Sequence, residues 1–239
     1  MIAFAEIVLG HGGLPECSRC HSDARPQMRD EADITAEIRE AVEAWRADPG
    51  PNVALVGAES YLHPDLPSIV RAATSMGVRR LRLATAGEAL AAGENAAGSL
   101  AAGVRQVEFV ALAGDRAVHD ALSGSGHSLT TALAGIARFR DAAREARAQV
   151  AVTGRVPVCD HNIDAVPSAV AAIGQAGGIA VVVDLAGLGG AAPGPEWLAA
   201  VADTGMVNRT WVTFTGADID LPVHLLHTHR PSAVLASGS

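Results

Sequence analysis

Short apolar runs alternate with amphipathic stretches along most of the chain. Residues 53–56 form an apolar run that stops at Gly57, the pattern of a buried parallel strand. His63-Pro64-Asp65 then opens a helix with Leu66, Ile69, Val70 and Ala73 on one face, and Gly77 closes it. The next strand covers 79–85. Upstream, 2–9 reads as a first strand, and Ile34, Ile38, Val42 and Trp45 mark a helix. Downstream, the pattern predicts a helix over 88–102, a strand over 106–112 and a polar connector with a short helical piece over 114–126. Ser128 caps a further helix running to about residue 148, followed by strands over 150–158 and 179–185 with a helix over 165–175 between them. Beyond Gly187 the pattern weakens to a helix over 196–203 and a strand over 211–214, and 231–239 reads as a flexible tail.

Strands that recur with a helix after each imply a parallel sheet with right-handed crossovers. The pattern alone allows a partial barrel or an open, doubly wound sheet. In either, ligands bind at the carboxyl ends of the strands, which here carry the loops Gly57-Ala58-Glu59-Ser60 and Thr85-Ala86-Gly87.

Composition narrows the function classes. The chain has 239 residues, 49% of them apolar, enough to bury the core of one α/β domain. A formal charge of −8 argues against a general nucleic-acid surface, and 3% aromatics leaves few platforms for stacking bases. Residues 1–10 lack a basic stretch and contain Glu6, so they read as a strand and not as a targeting segment. No apolar run approaches the length of a membrane span, and three cysteines do not make a disulfide scaffold. A cytoplasmic location is the resulting expectation.

The long segment 10–30 holds Cys17, Cys20 and His21, and two cysteines three apart are a metal signal. Zinc held by both thiolates and two histidines is one reading; two ordinary loop thiols is the other. Cys17-Ser18-Arg19-Cys20-His21 also fits the c-type haem pattern, which would require export. His224, His227 and His229 cluster near the end of the chain, where a solvated segment is the simpler account. Gly187-Leu188-Gly189-Gly190-Ala191-Ala192 fits a loose dinucleotide pattern, but Pro193-Gly194-Pro195 denies it a helix start for a pyrophosphate. Asp184 either points into the mouth or ends its strand facing water. Asp160-His161-Asn162 has no serine on a strand-to-helix elbow to serve as its nucleophile.

Gly57-Ala58-Glu59-Ser60, Leu62-His63-Pro64-Asp65-Leu66 and Thr85-Ala86-Gly87 together resemble the core of the radical S-adenosylmethionine (radical SAM) enzymes, and the resemblance extends less sharply through His161-Asn162-Ile163-Asp164. It implies a partial (β/α)6 barrel with parallel strands and outer helices, one domain over 1–230. It implies a [4Fe-4S] cluster and S-adenosylmethionine, whose reductive cleavage starts a hydrogen abstraction from substrate. Against the family's Cys-x3-Cys-x2-Cys, Cys17 and Cys20 take the second and third ligand positions and Gly13 the first. His11, His21 and Cys159 are the substitute ligands within reach of the sequence, with a plain buried role the alternative for Cys159. The resemblance places Gly57 and Glu59 at the cofactor, and Thr85 and Arg155 at the mouth. Arg19, Ala58, Ser60 and Ala111 depart from the family pattern. Two functions follow: radical modification of a small-molecule or peptide substrate in a biosynthetic pathway, or a catalytically silent partner or substrate-binding subunit with zinc or no metal.

Overall fold

Seven strands run parallel and stand side by side in chain order: β1 (Ala5–Gly12), β3 (Asn52–Ala58), β4 (Arg80–Thr85), β5 (Gln106–Val110), β6 (Ala151–Cys159), β7 (Ala180–Gly187) and β8 (Trp211–Thr215). The two-residue β2 (Gln27–Met28) pairs antiparallel with the end of β1, Gly10 opposite Met28 and His11 opposite Gln27. The computed structural model describes residues 4–12, 14, 27–45, 51–92, 94–124, 127–190 and 193–216. Helices α1 (Glu31–Ala44), α2 (Leu66–Ser75), α3 (Glu88–Ala91), α4 (Asn95–Ala102), α5 (Arg116–Ser123), α6 (Leu129–Glu145), α7 (Val166–Gln175) and α8 (Pro195–Val207) fill the crossovers. The expected partial (β/α)6 barrel is present, and β8 continues it as a seventh parallel strand. Among the described residues β1 and β8 do not pair, so the barrel stays open along one side.

Strand alternation sorts the side chains. Outward positions such as Leu55, Leu83, Phe109, Val156 and Val183 are fully buried and share one apolar cluster with Ile38, Ile69, Ile136, Phe139 and Ile173 of the surrounding helices. Each such side chain contributes about 1.5–3 kcal/mol on burial. Inward positions carry the site. Ser128 caps α6 as expected, its hydroxyl accepting from Thr131 N at 3.5 Å.

The helix expected over 88–102 is two helices. Ala92 leaves the helical region at φ −88°, ψ 121°, and α4 starts afresh at Asn95. The short α3 packs against α6, where Gly135 allows an approach that no side chain would: a Cβ there would stand 1.9 Å from the carbonyl oxygen of Gly87. Among the described residues no helix is long and apolar enough to cross a membrane.

Candidate functional site

At the carboxyl ends of the strands the barrel opens into a cleft of about 440 Å3, within the usual range for small-ligand sites. Its walls are largely apolar, with Val56, Val110 and Pro157 among them, and its polar side chains are Glu6, Glu108, Arg155 and Asp184. Burial alone would lower the Arg155 pKa, but Glu108, then Asp184 and Glu6, raise it above its ordinary value. Arg155 Nε donates to Glu108 Oε1 at 2.9 Å and Nη1 to Asp184 Oδ2 at 3.1 Å, while Nη2 stands 3.8 Å from Glu6 Oε1. Arg82, stacked 4.6 Å from the Phe4 ring centre, completes the set. Its Nη1 lies 3.1 Å from Glu108 Oε2 and its Nη2 lies 3.4 Å from Glu6 Oε1. The Arg82–Glu108 contact is an ion pair without an aligned hydrogen bond, and among the described residues Glu108 Oε2 and Arg82 Nε have no hydrogen-bond partner. Among the described residues, two guanidiniums and three carboxylates thus meet in one network.

Glu59 does something other than line the cleft. It is 5% exposed. Its Oε1 accepts from Tyr61 N at 3.1 Å, and its Oε2 accepts from Ala86 N at 2.6 Å and from the Thr85 hydroxyl at 3.1 Å. Thr85 in turn accepts from Gly87 N at 2.9 Å. One carboxylate therefore ties the loop after β3 to the loop after β4. Burial raises the Glu59 pKa, and the three donors only partly oppose that. Ser60, fully buried, adds a second tie by donating to Ala84 O at 2.8 Å.

The segment that carries Cys17 and Cys20 leaves and rejoins the barrel at one place. Arg29, just past β2, donates through N to Leu9 O at 2.9 Å and through Nη1 to Val8 O at 2.8 Å. His63 Nδ1 accepts from Asp65 N at 3.1 Å, which places the ring proton on Nε2, and Nε2 donates to Arg29 O at 2.9 Å. Gly57 lies against the same spot at φ 86°, where a Cβ would stand 2.5 Å from Gly10 O. Gly57→Ala is expected to cost about 1–3 kcal/mol from the backbone conformation alone, with the contact to Gly10 added to it. Urea unfolding measures the loss.

Around the end of β6, Asn162 accepts from Cys159 N at 2.8 Å and donates to Leu112 O at 3.1 Å and Pro157 O at 2.8 Å. Cys159 lies on the cleft wall, buried with Leu112 and Leu122. His119 of α5 is buried as well, and its Nδ1 accepts from Leu112 N at 3.3 Å. Burial holds its pKa below the ordinary 6.5. The folded state then resists protonation that the unfolded chain accepts, so this contribution to stability is complete above pH 6.5 and declines as pH falls below it. Unfolding free energies of wild type and His119→Gln, compared across pH 5 to 8, should converge toward the acid side.

Of the residues singled out in the sequence, Gly57, Arg155, Asp184 and Cys159 meet at the cleft. Glu59 and Thr85 are beside it and bonded to each other. His11 sits at the exposed end of β1, paired with Gln27. Gly13, Cys17, Arg19, Cys20, His21, the histidines at 224, 227 and 229, and the 231–239 tail lie outside the described residues. Among the described residues no three His, Cys, Asp or Glu side chains converge to hold a metal ion. Glu6, Arg82 and Glu108 were not anticipated as site residues. Their signal was available: each is a charged residue with apolar neighbours inside a strand, the mark of a position facing the barrel interior.

No family model matches the sequence, and no curated protein matches it. Solved structures do match the fold. SuiB from Streptococcus suis bound to precursor peptide SuiA superposes with a TM-score of 0.64 at 9% identity, over 89% of this chain and 49% of that one. SuiB bound to S-adenosylmethionine gives 0.60 at 12% identity, over 89% and 51%. The chain spans about half the length of these structures. At such identities the likeness is one of fold, a partial (β/α) barrel shared with these structures.

Proposed function

We propose that this radical SAM-like chain binds S-adenosylmethionine at the cleft and an iron–sulfur cluster through Cys17 and Cys20, and modifies a small molecule or peptide in a biosynthetic pathway. One observation carries this reading. The two motif-like loops, 57–60 and 85–87, are fastened together by Glu59 at the carboxyl edge of the sheet, beside the point on β1 where the cysteine segment departs. The cleft volume suits a nucleoside-sized ligand, and Gly57 presents bare backbone to it. Soft thiolates at short spacing suit a cluster, and the described residues supply no complete ligand set of their own. Bound together, the cluster and S-adenosylmethionine would supply the one-electron chemistry. The protein would orient the substrate, exclude water and fix the loops. That SuiB has been seen with a precursor peptide supports a peptide as one substrate class.

A second reading has its own support. Ser60 is consumed in a structural bond to Ala84 O, Ala111 is fully buried, and Gly13 replaces a ligand. A barrel so altered would serve as a partner or substrate-binding subunit, with zinc or no metal. Anaerobic reconstitution with iron and sulfide separates the two. About four irons per chain, with an EPR signal changed by S-adenosylmethionine and lost in Cys17→Ala and Cys20→Ala, supports the enzyme. No cluster, or zinc alone, supports the subunit.

A further inference from the structure

We infer that the floor of the cleft receives a positively charged group of the substrate, an ammonium or a guanidinium on an apolar body. The inference rests on the cleft being the ligand site and not on cluster formation. The charge count comes first. Among the described residues, the ion-paired set of Glu6, Glu108 and Asp184 with Arg82 and Arg155 carries one negative charge in excess, beside largely apolar walls. A single positive charge brings that set to neutrality, whereas an anion would meet three carboxylates at once.

The hydrogen-bond geometry agrees. The Arg155 fork is not open to an anion, since Nε and Nη1 are bonded to Glu108 and Asp184 and Nη2 faces Glu6. Glu108, 1% exposed, has an Oε2 that accepts no aligned hydrogen bond among the described residues and faces Arg82 Nη1 at 3.1 Å. Among the described residues of the set, Glu6 and Asp184, with side chains 54% and 27% exposed, are the carboxylates a ligand can reach, and Asp184 Oδ1 also accepts from Ala186 N at 3.2 Å.

Depth assigns the charge to the substrate. Glu6 is in register with Ala54, three residues before Gly57 on β3, so the floor lies about 10 Å below the loop edge proposed for the cofactor.

The test is a ligand-observed NMR titration of the full chain as isolated, without cluster, using hexylammonium, hexanol and hexanoate. Wild type should bind hexylammonium about tenfold more tightly than hexanol, and hexanoate most weakly. Asp184→Asn should erase the preference. Glu6→Gln with Asp184→Asn leaves two arginines against Glu108 alone, one positive charge in excess, and should reverse the order in favour of hexanoate. Should Asp184→Asn fail to fold, the partly exposed Glu6→Gln carries the test by itself. Hexanoate binding as well as hexylammonium in wild type, or an unchanged preference in a folded variant, overturns the inference. Competitive displacement of hexylammonium by S-adenosylmethionine also overturns it, by giving the charge to the cofactor. Because no cluster is required, failure of reconstitution leaves this result untouched.

Discussion

Glu108→Ala should unfold in urea with a loss of about 3–5 kcal/mol, near 10 °C in melting temperature for a chain of this size. Glu108 lies between two arginines, Arg155 Nε at 2.9 Å and Arg82 Nη1 at 3.1 Å, and is sealed from solvent. Removing it leaves two guanidiniums facing each other in the barrel with Glu6 and Asp184 as their remaining counter-charges. The damage comes from the charges left behind more than from the bond lost. Glu108→Gln keeps one acceptor and the side-chain volume, so it should fall between wild type and alanine. Salt should change the difference little, because screening acts weakly on buried pairs. A loss below about 1 kcal/mol would mean that the network behaves as a solvated surface pair.

The second large effect is expected at Glu59. Glu59→Ala strands the amides of Tyr61 and Ala86 and the Thr85 hydroxyl in a dry site, at about 1–3 kcal/mol for each group left without a partner. Faster amide exchange at Tyr61 and Ala86, read beside the urea curve, would locate the damage in the two loops. Glu59→Gln is not a silent replacement. Both carboxylate oxygens accept from backbone donors, so an amide must turn its NH2 toward one of them. The pH dependence has a definite sign. Burial raises the folded pKa above the ordinary 4.5, so the folded protein keeps a proton that the unfolded chain releases. Stability contributed by Glu59 is therefore greatest below pH 4.5 and declines as pH rises through the folded pKa. The advantage of wild type over Glu59→Gln should narrow over that range. A gap that widens instead would show that the three donors outweigh burial.

The strands were legible because their outward residues are Val, Leu, Ile and Phe at alternate positions, and the resemblance of residues 57–66 and 85–87 led to the right barrel. What escaped has physical reasons. β2 is two residues long, and its pairing depends on Gly10, where a Cβ would collide with Gln27 O at 2.1 Å; no periodicity announces such a strand. The break at Ala92 lies within an alanine-rich stretch that looks uniformly helical. In the sequence Arg82 and Glu108 stand only as members of their strands, although each is a charge flanked by apolar residues, the mark of an inward position. Glu59 carries a structural task that its place in the motif did not announce: its carboxylate ties the two loops together.

The pairing of His11 with Gln27 makes the attachment of the segment between them self-contained. The chain leaves β1 and returns at β2 across a pairing about 5 Å wide. Arg29, Glu37 and His63 brace that pairing from its far side. The two ends of the intervening segment are thereby held together by bonds that none of its own residues makes, so the geometry of its attachment does not depend on what it carries.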